Sequence, residues 1–160
     1  MSFYSWRQKI KYRLKANSRH GVHSPFVYEF IEQVLLRRAR QEGATLLPAG
    51  MNKKQQRLVQ AIAMHYGIAE LVWDNKRFAC PGTGSGVLYL ATSPIGLPGL
   101  YAENDIAVML DIYKDEQQAK AWQELCESKA VPLSADIFEM GILFFRKDFK
   151  IKQHFILKYR

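Results

Sequence analysis

A run of alternating glycines, Pro81-Gly82-Thr83-Gly84-Ser85-Gly86, is the sharpest chemical feature of the chain. Glycines at alternate positions let a backbone turn come close to a nucleotide or adenosyl group, because no Cβ intervenes. As a bare pattern the same glycines also suit a plain loop. Glu103 follows Gly86 by 17 residues. Leu100-Tyr101-Ala102-Glu103 reads as a short strand ending in an acid, and an acid so placed can hydrogen-bond ribose hydroxyls. A surface glutamate is the plainer alternative. Asp111 closes the apolar run Ile106–Leu110. Ligands of open α/β sheets bind beyond the carboxyl ends of strands, so Asp111 stands where a substrate-facing base or orienter would stand. An acid capping the next helix explains it equally well.

The other reactive side chains are scattered. His20 and His23 flank the start of a helix, while His65 and His154 stand alone. No Cys or His cluster completes a metal-ligand set, so no metal site is expected and the imidazoles are assigned to loop backbone. GxSxG and HExxH are both missing from the sequence, and no nucleophilic triad is suggested. Cys80 and Cys126 have no CxxC partner, which points to a reducing, cytoplasmic setting.

Several elements are expected to hold these residues. Phe3, Trp6, Ile10 and Leu14 fall at helical spacing among Arg7, Lys9, Lys11, Arg13 and Lys15, predicting a basic amphipathic helix over 3–16. Such a helix either packs its stripe on its own domain or lies on a membrane surface. After a break at Asn17, Ser18 and Gly21, Ser24-Pro25 opens a second helix to about residue 41. Its apolar face is Phe26, Phe30, Ile31, Val34 and Leu35, and the first two helices are expected to pack stripe to stripe. The 43–51 segment is a linker. Asn52 and Gln55 form a capping-box pair for a third helix, which ends at Tyr66-Gly67 with Leu58, Val59, Ile62 and Ala63 inward.

Ala69–Trp73 is a short strand candidate, Arg77–Cys80 a poor one, and Val87–Ala91 suits the start of a helix. Ile106–Leu110 has the unbroken apolar pattern of a strand covered on both faces. Asp115–Ser128 is a helix with Ala119, Trp122 and Leu125/Cys126 on one side. Leu133–Phe145 and His154–Tyr159 read as two long strands, joined as an antiparallel pair by the basic turn Arg146–Lys152.

Composition sets the outer bounds. The chain has 160 residues, 48% apolar and 24% charged, which suits one globular domain and excludes global disorder. No apolar h-region follows the basic start, which argues against a cleaved secretory signal. The 25-residue uncharged stretch Phe78–Ala102 carries three prolines and five glycines, so it is no membrane span. Net charge is +8: residues 1–40 carry +7, residues 146–160 carry +5, and the middle carries −4. Basic ends suit nucleic acid, anionic lipid or an acidic protein partner, or a merely solvated surface.

Two stretches carry a resemblance. Arg19-His20-Gly21-Val22-His23-Ser24-Pro25-Phe26-Val27-Tyr28 resembles the "HGVHSPFV" signature of bacterial class I S-adenosylmethionine-dependent methyltransferase-like proteins, chiefly from Bacteroidetes. The segments Leu110–Tyr113, Ala121-Trp122, Asp136–Lys147 and Gln153–Phe155 are similar to the last strand–helix–strand–strand unit of the same group. The resemblance implies an α/β fold: a shortened Rossmann-like methyltransferase sheet in residues 43–160, with an N-terminal helical extension in 1–42 and an antiparallel C-terminal hairpin. It implies S-adenosylmethionine as cofactor, approached by Gly82, Gly84 and Gly86, with Glu103 on the ribose and Asp111 facing the methyl acceptor. The middle departs from the pattern. Cys80-Pro81 stands where the family has an acid, Leu110-Asp111 where it pairs two aspartates, and its third and fourth strands have no visible counterpart. Two functions therefore suit the sequence: a methyltransferase, and a non-catalytic binding protein that uses its basic termini.

Overall fold

The computed structural model describes residues 3–16, 22–36 and 47–159. The expectations placed on Asn17–Gly21, on Arg37–Arg40 and on the 42/43 boundary lie outside the described residues.

Seven short strands form one mixed sheet: β1 (Glu70–Trp73), β2 (Lys76–Ala79), β3 (Val87–Ala91), β4 (Ile106–Leu110), β5 (Leu133–Asp136), β6 (Met140–Phe144) and β7 (Gln153–Ile156). Their spatial order is β2-β1-β3-β4-β6-β5-β7. β1, β3, β4, β5 and β7 run parallel, while β2 and β6 are reversed. Helices α1 (Phe3–Lys15), α2 (Pro25–Phe30), α3 (Lys53–His65) and α4 (Glu116–Glu127) complete the α/β architecture, and α2 runs on as a wider π-helical turn over Ile31–Leu35. No described helix is long and apolar enough to cross a membrane.

The side-chain alternation of β4 explains the layering. Ile106, Val108 and Leu110 face one apolar cluster with α2 and α3, whereas Ala107 and Met109 face another with Trp122 and Cys126 of α4. A strand covered on both faces has to be apolar throughout. α3 begins at a complete capping box between Asn52 and Gln55 and is followed by Gly67 at φ +62, as its sequence predicts. Phe30, Ile31, Val34 and Leu35 are buried, and the Phe30 ring meets Phe144 of β6 edge-on at 5.5 Å.

Several expectations are corrected. The span 133–145 is not one strand but the hairpin β5–β6, and the terminal strand β7 pairs parallel with β5 at the sheet edge. The reversal lies at Ile137-Phe138-Glu139, which holds no glycine, asparagine or proline. The Asp136 carboxylate closes it by accepting the Phe138 N–H at 2.8 Å. Segment 146–152 is thus a crossover loop and not a tight turn. Val87–Ala91 is a strand, paired with β1 on one side and β4 on the other. Its β-branched and aromatic side chains suit that pleated position better than a helix. Lys76–Ala79 is a strand as well, turned back on β1 by Asp74 and Asn75, both at positive φ (48 and 59). Leu100–Glu103 is a loop. Finally, the apolar stripe of α1 does not pack on α2: Trp6, Ile10 and Leu14 are exposed.

Candidate functional site

The glycine turn joins the edge strand β2 to β3, so it sits at the amino end of β3. Its backbone runs against the α3–β1 corner. Gly82 N–H donates to Ile68 O at 3.2 Å and Gly84 N–H to Gly67 O at 2.7 Å. A Cβ on Gly82 would overlap the backbone carbonyl groups of Gly67 and Ile68, and one on Gly84 would lie 2.7 Å from Gly67 O. A Cβ on Gly86 would overlap the backbone carbonyl of Asn104. The space that the missing side chains leave is occupied by the protein's own main chain.

Glu103 is exposed in the loop before β4, at the same amino end of the sheet. The acid that works there is its neighbour Asp105, which the sequence reading missed. Asp105 is buried and accepts Val87 N–H at 2.9 Å and Ala102 N–H at 2.7 Å, tying the exit of the glycine turn to the entrance of β4. The only signal was an acid directly before the apolar run.

Asp111 lies at the opposite end of β4, at φ +53. Five residues of strand separate it from the Glu103 loop, roughly 16 Å at the usual rise. The fold therefore places Gly82, Gly84, Gly86 and Glu103 at one end of the parallel strands and Asp111 at the other. Asp111 Oδ1 accepts from Gln55 Nε2 at 2.8 Å, and its N–H donates to Glu139 O at 2.7 Å. Gln55 is buried, and its Oε1 accepts Asn52 N–H in the capping box, so a single amide links the α3 cap to the end of β4. The helix cap proper, expected as one alternative for Asp111, is Asp115, which accepts Gln118 N–H at 2.8 Å.

Asp136 is the most enclosed acid at that carboxyl end, at 0% exposure. Tyr113 Oη and Phe138 N–H donate to it. Burial raises its pKa from 3.8 to about 6, against the lowering effect of those two donors. Phe138 sits at φ +71, a strained position for a bulky residue, and is held between the rings of Tyr12 and Tyr113 at 5.3 and 5.4 Å. A carboxyl titrating near 6 can hold or pass a proton, but here Oδ1 closes the turn, Oδ2 accepts from Tyr113 Oη, and no surface reaches it. The consequence is a pH effect on folding. The folded-state pKa lies above the unfolded one, so the native state binds the proton more tightly. The contribution of Asp136 is most favourable below about pH 4 and is lost as pH rises to about 6. Urea titrations across that window should show a downward slope in wild type that is reduced in Asp136→Asn; equal slopes would contradict this.

No family model, curated protein or solved structure matches the chain. No group of three or more His, Cys, Asp or Glu among the described residues could hold a metal ion. His154 Nδ1 lies 2.8 Å from Ser134 Oγ between β7 and β5, and burial lowers its pKa. His65 lies 3.8 Å from Glu29 and ties α3 to α2. His23 lines an open cavity of about 540 Å³ with Ser24, Phe26, Phe149 and Gln153.

Proposed function

We propose that the protein is a non-catalytic binding protein built on a shortened methyltransferase-like sheet, with its basic ends as binding elements. One observation carries this reading: the glycine turn is packed against the protein's own backbone, at the end of the strands away from Asp111. S-adenosylmethionine, which the resemblance implies, does not fit Gly82, Gly84 and Gly86 as they stand. A cofactor pocket must bury most of its ligand, and the approach space here is filled. The cations of α1, by contrast, face solvent. Arg7, Lys11, Arg13 and Lys15 of α1 are exposed, and the helix contains no acid.

A second reading, an active methyltransferase, is favoured by the position of Asp111 at the carboxyl end of β4, where ligands of α/β sheets bind. Calorimetry separates the two. Titration of the purified protein with S-adenosylmethionine or S-adenosylhomocysteine should give no binding heat. A saturable heat with either ligand would restore the methyltransferase, with an as yet unnamed methyl acceptor.

A further inference from the structure

α1 is docked the wrong way round for a helix that serves only its own core. Amphipathic helices of globular proteins turn their apolar row inward. Here the inward face is the one around Tyr12. Tyr12 Oη donates to Leu157 O, its ring packs on Phe138 at 5.3 Å, Lys9 lies 5.9 Å over the Phe138 ring, and Ala16 just beyond the helix is buried. The row Trp6, Ile10, Leu14 faces away, with exposures of 53%, 43% and 82%.

The helical period gives the layout of the outer face. At about 100° per residue, Trp6, Ile10 and Leu14 span a wedge of about 80°, centred about 160° from Tyr12. Arg13 borders the wedge on the Trp6 side. Arg7, Lys11 and Lys15 follow in succession on the Leu14 side. The exposed half of α1 is thus a narrow apolar wedge between cationic flanks. Flanking Lys and Arg can raise their charged heads while their stems lie along apolar surface.

We propose that α1 is an interfacial anchor that seats the protein on a bilayer carrying anionic headgroups. The inference rests on the binding-protein reading and names its partner. A Trp–Ile–Leu wedge suits the boundary of headgroups and acyl chains, and the cationic flanks suit the negative leaflet around it. Charge complementarity selects this occupant. A second copy of the chain on the same face would bring like charges together around the contact. A nucleic-acid backbone would meet the cations but leave the apolar wedge unused.

Flotation of the full chain with vesicles tests it. With phosphatidylserine and phosphatidylcholine in roughly one-to-three proportion, the protein should float; with phosphatidylcholine alone it should stay behind. Arg7→Gln, Lys11→Gln, Arg13→Gln and Lys15→Gln should each weaken partition roughly fivefold. The triple change Trp6→Ser, Ile10→Ser, Leu14→Ser should weaken it more than tenfold at an unchanged melting temperature. If the triple variant misfolds, Leu14→Glu alone, at the most exposed position of the row, should still reduce flotation. The proposal is overturned by equal flotation on both vesicle types, by no flotation at low salt, or by triple-variant flotation equal to wild type. Duplex-oligonucleotide binding without flotation would make α1 a nucleic-acid arm. Dimerisation abolished by the triple change, without flotation, would make the wedge a self-contact. A binding heat with S-adenosylhomocysteine would remove the non-catalytic reading and leave the anchor standing.

Discussion

Replacing Gly82 with Ala is expected to lower the stability of the folded protein by about 3 kcal/mol, because the new methyl group has no flexible neighbour to displace. The atoms it would meet are the backbone carbonyl groups of Gly67 and Ile68. Both belong to the α3–β1 corner, where Gly67 holds φ +62 and Gly82 N–H donates to Ile68 O. Relief would require segment 80–84 to move off that corner. Two ladder-like bonds would go with it: Gly82 to Ile68, and Gly84 to Gly67 at 2.7 Å. A denaturant titration reads the result directly. A change below about half a kcal/mol would mean that the turn is free of the corner and that its glycines serve something else.

Phe30→Ala should cost about 3–5 kcal/mol, the usual range for emptying an aromatic site in a closed core. Phe30 is 1% exposed and packs edge-on against Phe144, which Phe26 and Tyr66 also contact edge-on. The aromatic knot ties α2 and α3 to β6, an internal strand of the sheet. Its loss leaves a void bounded by three elements that cannot all close in. The same titration decides. A loss near zero would place α2 loosely on the sheet and detach the N-terminal segment from the core.

What could be read from the sequence was local. The Asn52–Gln55 capping box and the Gly67 stop are short-range chemistry, and they delimit α3 closely. Ile106–Leu110 could be read because burial on both faces leaves no polar position. The hairpin inside 133–145 could not, since Ile137-Phe138-Glu139 carries none of the residues that signal a turn. Its reversal depends on the Asp136 side chain and on a phenylalanine held at φ +71 by rings from α1 and from the segment after β4. The same limit applied to the candidate site. Spacing placed Glu103 near the glycine turn, and both do lie at one end of the sheet. Nothing in spacing reveals which end that is. Reading Val87–Ala91 as a helix put the turn at the carboxyl end of a strand; as β3, it puts the turn at the amino end. Asp105 escaped notice because its partners, Val87 and Ala102, become neighbours only once β3 and β4 pair.

The reversed strand β2 has a further consequence, for self-association. It closes one border of the sheet with Lys76 and Arg77 exposed, and β7 at the other border is flanked by Lys152 and Lys158. A sheet border is a row of open backbone groups that can template a second chain. Two copies meeting border to border would bring lysines into opposition. Like charge thus discourages the sheet from continuing into a fibre, which matters most for a protein that also exposes an apolar row on α1.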